Sequence, residues 1–203
     1  MILLTGGSGL LAKYLKLESD RPKHQELDIT KPITPRDYEL IVHAAAYTDV
    51  QKAESQKLEC FNVNVNGTLN LLAAYPTTPF VYISSEYAHK PLNFYSLTKR
   101  IAEELVETYP NYLIIRTLFK PTPWPFEKAF IDQWTQGDSV DIIAPLIDKA
   151  IMDWDRTGKK TIYVGTGRKR IYDIAIKTKP GVIPNSIKEM KAPIPADYRP
   201  LAE

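Results

Sequence analysis

The stretch "MILLTGGSGLLAKYL", residues 1–15, decides how the rest of the chain is read. A compact apolar run, "MILLT" (1–5), meets Gly6, Gly7 and Gly9, and a helix-like stretch over roughly 9–18 follows. A short run of branched side chains ended by a turn signal suits a strand buried on both faces, as in a parallel sheet. Glycines after such a strand let the backbone turn sharply and approach an anion, while the next helix start offers it free N–H groups. The spacing is G-x-x-G-x-x-A, with Ala12 where a small residue lets helix and strand pack closely. Gly6, Gly9, Leu10 and Leu11 are the candidate pyrophosphate cradle. A plain strand-to-helix turn needs glycine as well, so the motif gains meaning only from its setting.

That setting is a strand–helix alternation. "ELIVHAA" (39–45), "PFVYISS" (79–85) and "NYLIIRT" (111–117) repeat the apolar-run pattern. Helix candidates lie between the runs, near 49–57, 58–74 and 95–109. Such alternation argues for an α/β fold, a Rossmann-type doubly wound parallel sheet. After residue 117 prolines gather in "KPTPWPF" (120–126) and again near the end. They predict a small C-terminal substrate-binding lobe over 118–203, packed against a dinucleotide-binding part over 1–117. Helices are expected near 126–136 and 144–154, and a strand at "TIYVG" (161–165).

Composition narrows the classes. The chain has 203 residues, enough for one sizeable domain or one domain and a small lobe. A net charge of +2 gives no electrostatic reason to expect a nucleic-acid or membrane partner. Cys60 is the single cysteine, so no internal disulfide can form. "MILLTGG" is too short for a signal-peptide core, and no run approaches the roughly 18 apolar residues of a membrane span. A soluble, cytoplasmic protein is expected.

Other segments offer chemistry. Ala44, Ala45 and Ala46 end a predicted strand and leave room for a ligand, although tight helix–strand packing explains them equally. His43 reads as a satisfied core histidine. No His, Cys, Asp and Glu cluster has metal-ligand spacing, so no metal is expected. "YISSEY" (82–87) places Ser84 and Ser85 at the end of a strand, in the crevice of the glycine turn. Tyr95 and Lys99, in "FYSLTKR" (94–100), stand four apart and share a helical face. A phenol titrates near pH 10, and a neighbouring ammonium lowers that value. With a serine hydroxyl to hold a carbonyl oxygen, such a set reduces a ketone if a hydride donor lies opposite. The basic run "GRKRIY" (167–172) reads as a solvated surface, with a diphosphate contact as the alternative.

Taken in order, these pieces resemble the extended short-chain dehydrogenase/reductase family, and within it the dTDP-4-dehydrorhamnose reductases. The resemblance rests on "TGGSG", "ELDIT" (26–30), "HAAAYTDVQKAE" (43–54), "NVNGT" (64–68), "ISSEY" (83–87), "YSLTK" (95–99), "IIRT" (114–117) and "PIPADYRPL" (193–201). It implies Ser85, Tyr95 and Lys99 as the catalytic set, with Ser85 where these reductases usually carry threonine. It implies Asp28 and Ile29 near the adenine, Ala44 to Ala46 along the cofactor, Asn64 as a structural asparagine, and Tyr95 and Lys99 as cofactor contacts too. The implied activity is NAD(P)H-dependent reduction of a 4-keto nucleotide sugar, in dTDP-rhamnose biosynthesis. The alternatives are a nucleotide-sugar epimerase or dehydratase, or a non-catalytic dinucleotide-binding regulatory protein. Dehydratases of the family resemble one another in an acid pair after the triad hydroxyl; here Glu86 is followed by Tyr87. The span before "ELDIT", "SDRPKHQ", has room for one short strand at most. Arg21 and Lys23 within it point to a mild preference for NADPH over NADH. A homodimer is possible.

Overall fold

A computed structural model describes residues 1–197. Six strands form its main sheet: β1 (Ile2–Thr5), β2 (Ser19–Asp20), β3 (Leu40–His43), β4 (Phe80–Ile83), β5 (Tyr112–Thr117) and β6 (Lys159–Val164). Their order is β6-β5-β4-β3-β1-β2, and every pairing is parallel. Every residue of β1, β3, β4 and β5 is buried, which is why these segments read as unbroken apolar runs. The chain leaves β1 toward β2 on one side and returns to β3 on the other. The order therefore reverses between β1 and β3, where an open α/β sheet has its crevice.

Helices cover both faces: α1 (Val50–Ala53), α2 (Lys57–Phe61), α3 (Gly67–Ala74), α4 (Phe94–Glu107) and α5 (Val140–Asp153). Successive strand residues enter opposite layers. Leu4, Val42 and Ile115 pack with Ile143, Ile147 and Ile151 of α5. Leu3, Ile41 and Phe80 pack with Leu71 of α3 and with Ala102 and Val106 of α4. A third cluster holds Tyr87, Leu118, Trp124, Ala129, Ile171, Val182 and Ile194 together as a small lobe beyond the carboxyl ends of the strands. Although they follow residue 117, α5 and β6 belong to the sheet layers. Residues 198–201 of "PIPADYRPL" lie outside the described residues.

Two expected helices are corrected. Over 9–18 the chain makes only a helical turn, with Lys13 N–H reaching the Gly9 carbonyl at 3.4 Å and Leu15 N–H the Leu11 carbonyl at 3.2 Å. The Arg21 guanidinium then binds the carbonyls of Ala12, Leu15 and Leu17, ending the turn and leading into a two-residue β2. Over 126–136 there are two short strands. Lys128–Phe130 pairs with Ile183–Asn185, and Trp134–Thr135 with Lys169–Arg170. Partners distant in sequence supply the backbone hydrogen bonds there, and tertiary pairing overrides local propensity. The stretch expected as 49–57 and 58–74 is interrupted at Gln56 and passes through a wider π turn, Asn62–Asn66, before α3.

One buried ion pair fixes α4 on the sheet. Glu103 of α4 is fully buried and receives Arg116 of β5 through two N–H groups, at 2.7 Å from Nη2 and 3.0 Å from Nε. Arg116 also donates to the Tyr163 hydroxyl at 3.0 Å, and Arg100 stands 3.5 Å from Glu103. Removing one member of such a pair strands the other in the interior. Arg116→Met is expected to lower the unfolding free energy by about 3–5 kcal/mol in urea titrations, and adding Glu103→Leu to recover at least half of that. A single-variant loss below about 1 kcal/mol would mean that the pair contributes no more than a surface pair does.

Candidate active site

A cavity of about 570 Å³ opens at the point where the strand order reverses. Gly6, Gly9, Leu10, Leu11 and Ala12 line one wall, and Ala44, Ala45 and Ala46, following β3, line the other. Gly6 has φ +72°, and a Cβ there would stand 2.8 Å from the Ala45 nitrogen. Only glycine lets the turn come this close to the end of β3. Gly9 N–H donates to the Gly6 carbonyl at 2.8 Å and closes the turn. A Cβ on Gly9 would meet only that carbonyl oxygen, at 3.0 Å, so the space in front of the turn is open. An anion-sized cradle bounded by glycines at a strand end fits a dinucleotide pyrophosphate.

Some expected contacts lie elsewhere. Ile29 lines this cavity, but Asp28 faces a neighbouring one. Its carboxylate accepts from the Thr30 hydroxyl at 2.7 Å and the Thr30 N–H at 3.0 Å, which holds its pKa below the usual carboxylate value. Asn64 is buried and serves as a brace: its Oδ1 accepts from Tyr47 N–H at 2.8 Å, and its Nδ2 donates to the Thr98 hydroxyl at 3.0 Å. It thereby ties the segment after β3 to α4. His43 bonds the hydroxyls of Thr5 at 2.8 Å and Thr68 at 3.1 Å. Burial pushes its pKa down to about 3, so it stays neutral and structural. The basic run is largely paired: Arg168 with Asp197, Lys169 with Asp138 and Arg170 with Asp173.

The serine, tyrosine and lysine converge where β4 meets α4. Ser85 caps a short 3-10 turn, Glu86–Ala88, by accepting from Tyr87 N–H at 3.2 Å. A capping box starts α4: Ser96 N–H donates to Asn93 Oδ1 at 2.8 Å, and Asn93 N–H to Ser96 Oγ at 3.1 Å. Tyr95 therefore sits in the first turn, half-buried. Burial raises its phenol to a pKa of about 12, and a hydrogen bond with Ser85 opposes the rise. Lys99, one turn on, is buried. Its ammonium donates to the Ile83 carbonyl at 2.9 Å and stands 4.1 Å from the centre of the Tyr82 ring. Burial lowers its pKa to about 7, with Glu103 opposing. Tyr95 and Lys99 share a helical face, as their spacing requires, and Ser85 is the polar side chain that acts on the phenol. The expected lowering of the phenol by the ammonium is not found; desolvation dominates both groups.

A second cavity, about 670 Å³, lies in the lobe and shares Thr48, Lys120 and Phe126 with the first. Tyr87, Trp124 and Gln133 line it, and Gln133 donates to the Tyr87 hydroxyl at 2.7 Å. The Tyr87 ring stands edge-on to Tyr95, 6.4 Å between centres, and so links this cavity to the triad. Lys120 escaped the sequence reading, and Glu86 and Tyr87 entered it only as the place where an acid pair is missing. Glu86 is buried, accepts from the Thr135 hydroxyl at 2.7 Å, and is raised by burial to about 7. Its burial depends on a residue 49 positions away. Lys120 had one faint signal, a lone cation in an otherwise apolar and proline-rich run.

Comparison with known proteins agrees with this geometry. The family model described as polysaccharide biosynthesis protein matches residues 23–119. A dTDP-4-dehydrorhamnose reductase of Sinorhizobium fredii is 30% identical over 175 residues, covering 70% of this chain and 59% of that protein. The chain spans less than two thirds of the length of the curated relatives it matches. Among solved structures, dTDP-4-dehydrorhamnose reductase from Bacillus anthracis in complex with NADP superposes with a TM-score of 0.79 at 24% identity, covering 96% of this chain and 88% of that one. MoeE5 in complex with UDP-glucose and NAD gives 0.70 at 17% identity, covering 91% and 85%. At these identities the structures speak for the fold. Among the described residues no helix is long and apolar enough to cross a membrane. The glycine turn at the reversal of strand order, the Tyr95–Lys99 helix and these matches agree with the resemblance to the extended short-chain dehydrogenase/reductase family.

Proposed function

We propose that the chain is an NAD(P)H-dependent reductase of a 4-keto nucleotide sugar, as the names of its relatives suggest. The observation that carries this reading is the meeting of Ser85, Tyr95 and the buried Lys99 at the carboxyl end of β4, where Lys99 donates to the Ile83 carbonyl and the Tyr95 ring stands edge-on to Tyr87. When bound, the nicotinamide supplies the hydride. Tyr95, with its pKa raised, is fully protonated at neutral pH, the form a general acid needs when a ketone becomes an alcohol. Its phenolic proton passes to the carbonyl oxygen, and Ser85 holds that oxygen in place. The Lys99 ammonium, held by the Ile83 carbonyl, would hold the nicotinamide ribose beside the phenol. The second cavity, in the lobe formed by segments after residue 117, would take the sugar nucleotide.

The cofactor side is tested at Gly6. Gly6→Ala forces a Cβ against Ala45 and strains a left-handed residue. NADH affinity, read by fluorescence, is expected to fall at least about tenfold. Gly158→Ala, also at positive φ but with open space around it, serves as the control and should leave affinity unchanged. Equal affinity of Gly6→Ala and wild type would remove the dinucleotide from this turn.

The preference for NADPH rested on Arg21 and Lys23. The Arg21 side chain donates to Ser19 Oγ and to the three carbonyls that end the glycine turn. Lys23 is then the remaining cation for a 2′-phosphate, and it is exposed. The preference should be small, with NADPH bound no more than about threefold tighter than NADH, as one screened surface charge provides. A ratio above tenfold in either direction contradicts this.

Turnover tests the triad. Tyr95→Phe is expected to lower kcat by about 10²–10⁴-fold with cofactor affinity nearly unchanged. Lys99 is needed as the ammonium that holds the ribose, and its pKa is about 7. The kcat/KM for reduction should therefore fall as pH rises through about 7, and Lys99→Met should lose that limb along with most of the rate. The assay is oxidation of NADH or NADPH with dTDP-4-dehydrorhamnose. Wild-type turnover by Tyr95→Phe would sink the mechanism. Tight cofactor binding by a wild type that reduces no 4-keto nucleotide sugar would favour the non-catalytic reading.

A further inference from the structure

Lys120 stands in the wall common to both cavities. The short parallel pairing of Phe119–Lys120 with Asp138–Ser139 fixes its backbone there. The side chain is half-buried and makes no hydrogen bond or ion pair among the described residues. Other charged groups near it are occupied, neutralised or exposed. Asp49 caps α1 and pairs with Lys52 at 3.4 Å. Lys128 faces Glu189 at 3.7 Å, and Glu127 is exposed. Glu86 is the one carboxyl whose charge acts on Lys120. It accepts from the Thr135 hydroxyl at 2.7 Å, and burial raises its pKa to about 7.

A half-buried ammonium without a full counter-charge is unfavourable, and desolvation accordingly lowers the Lys120 pKa. An incoming anion removes that penalty and gains a charge-assisted hydrogen bond. We propose that Lys120 binds a diphosphate oxygen of a ligand at the junction of the two cavities. Two ligands would bring this chemistry: the dinucleotide in the first cavity and, on the reading above, a nucleotide sugar in the second. The first already finds the N–H groups of the glycine turn. The lobe offers its ligand no other unpaired lysine or arginine on the cavity wall, so the nucleotide sugar is the favoured source.

Binding measurements by calorimetry separate the sources without requiring turnover. Wild type, Lys120→Met and Lys120→Arg are titrated with dTDP, UDP, thymidine and ADP-ribose. Loss of one charged hydrogen bond corresponds to about 10- to 100-fold in affinity. For Lys120→Met that loss is expected toward dTDP or UDP, with thymidine unchanged, ADP-ribose within about threefold, and most of the loss restored by Lys120→Arg. A comparable loss toward ADP-ribose alone would keep the diphosphate role and assign it to the cofactor. Unchanged affinity of Lys120→Met for every diphosphate overturns the proposal, provided its thermal unfolding matches wild type. An equal loss toward thymidine overturns it as well, since that marks a damaged cavity. If wild type binds neither dTDP nor UDP, the nucleotide-sugar reading fails, and the ADP-ribose titration still decides Lys120.

Discussion

Helix α4 places Tyr95, Lys99 and Glu103 on one stripe, each one turn from the next, and turns that stripe toward the sheet. Two of the three polar groups are bonded across the interface, Lys99 to the Ile83 carbonyl and Glu103 to Arg116, and Tyr95 is set beside Ser85. Buried polar groups that lose their partners are strongly unfavourable, so these contacts fix how far along its axis α4 can slide. Because two of the partners lie on β4 and its following turn and one lies on β5, the helix is registered against two strands at once. The approach of Tyr95 to Ser85 depends on that register.

The same crowding sets the electrostatics. Desolvation is the largest influence on Tyr95, Lys99, Glu86 and Lys120 alike. It pushes Glu86 up and Lys99 down, which narrows the gap between that carboxyl and that amine, and it drives the Tyr95 phenol up and away from Lys99. Glu86 and Lys99 both arrive near 7. Groups balanced there change charge with small changes in surroundings, which is the behaviour a proton-handling site needs.

Much of the fold was legible in the sequence because buried parallel strands leave an unbroken apolar signature. "LIVH", "FVYI" and "YLIIRT" needed no partner to be recognised, and the helix expected over 95–109 is α4, Phe94–Glu107. The failures share one cause. The stretch 126–136 looked helical because its strand partners, Ile183–Asn185 and Lys169–Arg170, lie some 35 to 55 residues away. The first helix was overread because Arg21, which ends the turn at Leu17, acts from outside the pattern. At the site, the glycines, the alanines and the Ser–Tyr–Lys set were readable by type and spacing. The environment of Glu86 and Lys120 was not, since burial by residues distant in sequence leaves no local mark.

The cavities meet at Thr48, Lys120 and Phe126, and a shared partition has a thermodynamic consequence. Whatever fills one compartment reshapes or charges the wall of the other, so the two occupants are energetically coupled. Such coupling is reciprocal: the factor by which the first ligand changes affinity for the second is the factor by which the second changes affinity for the first. On the proposed reading, the ligand seated in one compartment meets the same Lys120 wall as the ligand in the other, and which of them binds first is set by their separate affinities, since the coupling itself favours neither order.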